Sequence, residues 1–233
     1  MSVYGGPDII TDGLVLHLDA ANRKSYPGSG TSWNDLSGNG NHGTATSVSH
    51  SFSDGGYFYS GGSTGTSKFA VPSSDLQTAG GKITVEVWLK TIVLADAWIF
   101  SLQTGTSSNY TNGWLLRMDN PAYDILWTPP AFKYISGANN NGIILNTWQH
   151  IVANNDPDNN MFRFFVNGEI RLTTTPSTID YTGVRDYAYI GAHDQSGFLG
   201  MNARISIARV YNRALSANEV QQNYNALKGR FGL

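Results

Sequence analysis

The chain has 233 residues, enough for one large all-β domain or two small domains with a substantial core. Apolar residues make up 40% and charged residues only 14%, which is too apolar for disorder and leaves Gly, Ser, Thr and Asn to cover the surface. A formal charge of -2 with no basic run excludes an electrostatic footprint for nucleic acid, and the absence of cysteine excludes thiol catalysis, thiolate metal sites and disulfides.

Residues 1–12, MSVYGGPDIITD, carry no hydrophobic period and read as an N-terminal arm before a single domain at 13–233. They have neither a basic n-region nor an apolar h-region, so Sec export from this start is not expected. No run approaches the roughly 18 apolar residues of a membrane helix, so membrane insertion is not expected either. Leu14, Leu16 and Leu18 then alternate with Val15, His17 and Asp19, the period of a strand. Ile83, Val85, Val87 and Leu89 alternate with Thr84, Glu86, Trp88 and Lys90, which predicts a strand buried on one face. Shorter strand runs start at Trp98, Trp114, Tyr123, Phe132 and Thr147, each bounded by turn residues. Asn167-Gly168, between two runs of aromatic and β-branched residues, predicts a type I′ hairpin. After a strand from Arg204, Ser216 and Glu219 have capping-box spacing and Leu215 is placed to staple onto Val220. A short helix should follow, with Val220, Tyr224 and Leu227 on one face and Gly229 at its end. Many short strands and one terminal helix predict an all-β fold, an antiparallel two-sheet jelly-roll sandwich with one short C-terminal helix.

The segment from Gly13, GLVLHLDAANRKSYPGSGTSWNDLSGNGNHGTA, is similar to the N-terminal signature of the concanavalin A-like, laminin G-type jelly rolls. Further along, ITVEVWLK resembles the first long core strand of that family, and TWQHIVA with FRFFVNGEIRL resembles its hairpin. The run from YIGAHD to RISIARVYNRALSANEV resembles its closing strand and helix. Within the superfamily, LDAANRKSYPGSGT and YNRALSANEVQQNYNALKGRFGL resemble structural proteins of tailed-bacteriophage virions. That second resemblance implies a non-enzymatic virion protein, made in the host cytoplasm and displayed on the particle surface as a capsid decoration or a head or tail fibre. Its partners would be other virion proteins and copies of itself. The alternative is a lectin-like module that recognises a bacterial or environmental polysaccharide, because a fold shared by lectins, glycanases and adhesive modules does not choose among them.

Glycoside hydrolysis needs two carboxylates about 5–9 Å apart. The glucanase relatives carry them as Glu-x-Asp-x-x-Glu on one strand, whereas Glu86, Glu169 and Glu219 are the only glutamates here and each stands alone. Relatives that are polysaccharide lyases use Gln-x-His, a spacing that Gln149-His150 lacks. His17 and His150 lie in strand patterns and His42 and His193 in loops, so no catalytic residue is assigned. For sugar binding, which needs aromatic faces among fixed amides and carboxylates, the candidates are Trp127, Tyr123 and Tyr110. The resemblance implies a structural calcium near the start of the domain, with Asp19, Asp35 and Asn39 as ligands, although Ser206 stands where relatives carry an acid. The competing reading of the segment 35–40 is a hydrogen-bonded turn, and it is preferred. Asp156, Asp158 and Asn160 alternate as in an EF-hand but lack its Gly and Glu, and read as a hairpin loop. Ile9 and Ile10, apolar residues in the arm, are expected to bury against a neighbouring subunit.

Overall fold

The computed structural model describes residues 6–61, 67–103, 112–119, 124–128, 143–193 and 200–233, with the backbone alone for 119 and 124–128. Fifteen strands occur among these residues: β1 Leu14–Asp19, β2 Ser32–Trp33, β3 Gly43–Thr46, β4 Ser49–Ser51, β5 Tyr57–Gly61, β6 Lys68–Pro72, β7 Ile83–Thr91 and β8 Ala97–Gln103. They continue as β9 Gly113–Asp119, β10 Asp124–Thr128, β11 Trp148–Asp156, β12 Met161–Val166, β13 Glu169–Thr174, β14 Tyr187–Ile190 and β15 Asn202–Tyr211, and helix α1 Ala217–Leu227 follows. The strands form two antiparallel sheets, so the predicted jelly-roll sandwich with one C-terminal helix is what the chain builds. One sheet runs β13-β12-β11-β7-β15-β5-β4 with β1 also on β15, and the other runs β10-β9-β8-β14-β6-β3-β2.

β15 organises the eight-stranded sheet. Its first half pairs with β5 and its second half with β1, while its other edge runs the length of β7. Ser206 marks the changeover, where the register on β7 slips between Ile205 and Ile207. The sandwich core lies between the sheets, from Val85, Val87, Leu89, Ile151 and Ala153 on one side to Ile99, Phe100, Trp114, Leu116 and Ile190 on the other. Each such side chain contributes about 1.5–3 kcal/mol by leaving water.

The hairpin and the helix start form as the sequence predicts. Asn167 (φ 53°) and Gly168 (φ 78°) are both left-handed, as a type I′ turn requires. Ser216 Oγ accepts from the Glu219 amide and Glu219 returns the bond to the Ser216 amide, closing the capping box. Two expectations are corrected. β7 is covered on its outer side up to Lys90: Thr84, Glu86 and Trp88 are as buried as Val85 and Val87, because α1 and the turn after it lie across that side of the sheet. Gly229 does not end the helix; α1 stops at Leu227 and a 3-10 turn, Lys228–Phe231, carries Phe231 onto Trp88 before Gly232 (φ 74°) turns the chain.

Candidate functional site

Strand alternation sorts the outer face of the seven-stranded sheet. On β8 and β9, Leu102, Trp114, Leu116 and Met118 point into the core, so Gln103, Leu115 and Arg117 point away from it. Trp98 is the cross-strand partner of Arg117, whose guanidinium lies 5.9 Å from the indole, and the His193 ring meets the same indole edge-on at 4.2 Å. Ser101 is opposite Tyr189 and donates to the His193 carbonyl at 3.1 Å. Tyr187, further along β14, is 48% exposed.

Gln103 is the unusual member of this group. It is 3% exposed, yet among the described residues neither its amide nitrogen nor its carbonyl oxygen has a partner. Leaving a buried amide unpaired costs about 1–3 kcal/mol per group. Across the ladder, Gly113 (φ +92°) leaves bare backbone: a Cβ there would fall 2.0 Å from the Leu102 carbonyl oxygen. Sequence reading passed over this face, because the register slip between Trp98 and Phe100 interrupts the alternation that reveals which residues point outward. The sugar-binding candidates Tyr110 and Tyr123 lie outside the described residues, and for Trp127 only the backbone is described, on β10 opposite Leu116.

The residues expected to hold calcium are not gathered into one site. Arg230 grips Asp19, donating from NH1 and NH2 to its two carboxylate oxygens at 2.8 Å each and to Ser206 Oγ at 2.9 Å. This guanidinium, with the Ala21 amide, holds the Asp19 carboxyl below its ordinary value against the opposing effect of burial. Asp35 accepts from the amides of His17, Ser37 and Asn41 and from Ser37 Oγ. Asn39 donates to the Leu14 carbonyl and to Ser37 Oγ. The segment 35–40 is thus the hydrogen-bonded turn that the sequence reading preferred. Among the described residues no group of three His, Asp or Glu is placed to hold a metal.

All three glutamates are committed. Glu86 is fully buried on the outer side of β7, where its Oε1 accepts from Arg209 at 2.7 Å with His150 Nε2 at 3.1 Å, and its Oε2 accepts from Asn223 at 2.8 Å. Burial raises the Glu86 pKa, but Arg209, His150 and Asn223 outweigh it and bring the carboxyl down to about 2. Glu219 serves the cap and pairs with Arg213, and Glu169 lies exposed beside Arg171 at the hairpin. Ile10 is half-buried in its own chain, against the cluster of Val152, Phe165, Tyr211, Leu215 and Val220. Its amide donates to Asn223 Oδ1 and its carbonyl accepts from Tyr211, which fixes the arm beside α1; Ile9 next to it is also half-buried.

A model of the concanavalin A-like lectin/glucanase superfamily matches residues 60–221. A search of curated protein sequences finds no significant match. Among solved structures, domain 4 of AbnA, an extracellular arabinanase from Geobacillus stearothermophilus crystallised with arabinotriose, is similar at TM-score 0.65 and 17% identity, over 91% of this chain and 98% of that one. The receptor-binding domain of botulinum neurotoxin C/D mosaic serotype is similar at TM-score 0.60 and 16% identity, over 92% of this chain, which spans about half (51%) of that domain. Trypanosoma rangeli sialidase is similar at TM-score 0.66 and 14% identity, over 97% of this chain and 34% of the enzyme. At these identities the structural likeness speaks to the fold, which the family match places: the chain belongs to the concanavalin A-like lectin/glucanase superfamily.

Proposed function

We propose that the chain is a non-catalytic recognition module that binds a saccharide over the outer face of its seven-stranded sheet. The observation that carries this reading is Gln103, a buried amide with no partner among the described residues, on a face that also carries the buried Trp98, Arg117 and the exposed Tyr187. Fixed amides beside aromatic and guanidinium groups are what sugar hydroxyls need. Against hydrolysis, Glu86 is fully buried in an ion pair with Arg209 and Glu219 is held by the helix cap and Arg213.

The test is the substitution Gln103→Leu. Replacing an unpaired buried amide by a similar apolar volume is expected to raise stability by about 1–3 kcal/mol in urea unfolding. The same substitution should lower affinity on a glycan array at least about tenfold. Retained affinity would place the sugar elsewhere, with Trp127→Ala and Tyr123→Ala as the next variants. Sustained turnover of any bound polysaccharide would overturn the non-catalytic reading.

The proposed setting is the surface of a phage particle, as a capsid decoration or a head or tail fibre, with other virion proteins and copies of the same chain as partners. What supports it is the sequence wording at 18–31 and 211–233. Immunogold electron microscopy of purified particles tests this: label on capsid or tail is the expected result, and protein found free of particles would overturn it. No calcium is needed under this proposal, since Arg230 already neutralises Asp19.

A further inference from the structure

The outer face of the eight-stranded sheet is covered by α1 and the turn after it only over part of its length. Phe231, Tyr224 and Leu227 close over Trp88 and Ile207. The next row toward the other end of the strands is Tyr59, Arg204, Lys90 and Trp148, directly opposed across β5, β15, β7 and β11; Trp148 is buried against Phe231, so the open part runs from Tyr59 to Lys90. At about 4.8 Å per strand that part spans about 10 Å, the scale of two sugar rings.

One carboxylate already sits on this row. Asp54, in the left-handed region at φ 50°, accepts from Lys90 Nζ at 3.1 Å and Arg204 NH1 at 2.6 Å through Oδ2, and from Trp148 Nε1 at 3.1 Å through Oδ1. The Arg204 guanidinium lies 4.5 Å from the Tyr57 ring centre, and Lys90 Nζ lies 6.0 Å from the Trp148 ring, so both cations rest on aromatic rings. Two positive charges therefore share one negative charge at a partly open surface, where the side chains of Arg204 and Lys90 are 31% and 19% exposed. Arg204 has five N–H donors and Lys90 three, and among the described residues one from each is used. Beside them Tyr59 donates to Asn202 Oδ1 at 3.1 Å, placing a hydroxyl and an amide next to the two cations.

We propose that this row is a second binding site, for a carboxylate-bearing saccharide of the uronic acid type, with Lys90 and Arg204 holding the sugar carboxylate. Asp54 has the role of a resident competitor: it keeps the two cations in place and occupies part of their donor capacity. The site lies on the opposite sheet from Gln103 and does not depend on the reading given to that residue.

The experiment is calorimetric titration of the whole chain with trigalacturonate and with its methyl ester, which removes the carboxylate charges and leaves the sugar hydroxyls unchanged. Trigalacturonate is expected to bind at least about tenfold more tightly than the ester, and Arg204→Gln and Lys90→Gln are each expected to weaken it by about tenfold. Asp54→Asn is expected to tighten binding several-fold by removing the competing charge, a gain that a purely structural Asp54 would not give. Lys90→Arg, which keeps the charge, should retain binding and guards against misfolding of the glutamine variants. The proposal is overturned by equal binding of acid and ester, by unchanged affinity in Arg204→Gln, or by plain sulfate binding as tightly as the saccharide. Unchanged binding in Arg204→Gln overturns this row, whereas unchanged glycan-array affinity in Gln103→Leu overturns the reading of the other sheet, so the two fail separately.

Discussion

Glu86 is where the largest single-residue effect is expected. Removing one member of a buried ion pair leaves the other charge uncompensated, at about 3–5 kcal/mol. Glu86→Ala, which strands Arg209 under α1, should therefore cost that much in urea unfolding. His17 belongs to the same cluster, its Nε2 3.3 Å from Arg209 NH2, and burial together with that guanidinium lowers its pKa to about 3. A group depressed on folding stabilises the protein above its unfolded value and loses that contribution as pH falls toward its folded one. For His17 the loss starts near pH 6.5, at up to about 1.4 kcal/mol per pH unit, and Glu86 adds to it below about pH 4.5. Stability measured from pH 7 to 4.5 should fall in wild type and flatten in His17→Gln. None of this cluster was legible in the sequence. Glu86 reads as a lone acid because Arg209 and Asn223 lie 123 and 137 positions away.

The arm and α1 act as one element. Asn223 donates to Glu86 and Tyr211 and accepts from the Ile10 amide, so one side chain ties sheet, helix and arm together. Gln222 donates to the Asp8 carbonyl and Arg213 pairs with Asp12. Deleting residues 1–12 should therefore lower the unfolding free energy by about 2–4 kcal/mol, from the lost burial of Ile10 and the stranded polar groups of Asn223 and Tyr211. An unchanged denaturation midpoint would return the arm to the role of a partner-seeking tail. At this scale the sequence was a good guide wherever the determinants are local. The capping box and the Asn167-Gly168 turn rest on residues a few positions apart. The helix end was misplaced because Phe231, stacking on Trp88 at 4.3 Å, draws the chain past Gly229.

For the whole molecule, period-two alternation was enough to foretell a two-sheet sandwich, since each sheet must bury one face against the other. It could not tell which outer face would also be covered: Trp88 and Trp148 lie outside the inter-sheet core, beneath the C-terminal turn. The calcium expectation likewise turns on distant residues. Arg230 reaches Asp19 from 211 positions away, so millimolar calcium or EDTA should leave the thermal midpoint unchanged. A rise with calcium would mean that the ion displaces the guanidinium and stabilises the fold by linkage.

Because β15 is the last strand yet pairs with β1, β5 and β7, the eight-stranded sheet cannot close until the end of the chain is available. During synthesis Leu16 and Leu18 must wait, unpaired along one edge, for a partner made almost two hundred residues later. Such non-local closure is slow and leaves apolar strands open to association with other chains. Folding yield should thus depend more on temperature and chain concentration during expression than the stability of the finished sandwich would suggest, and a chain stopped short of β15 loses the means to close its larger sheet.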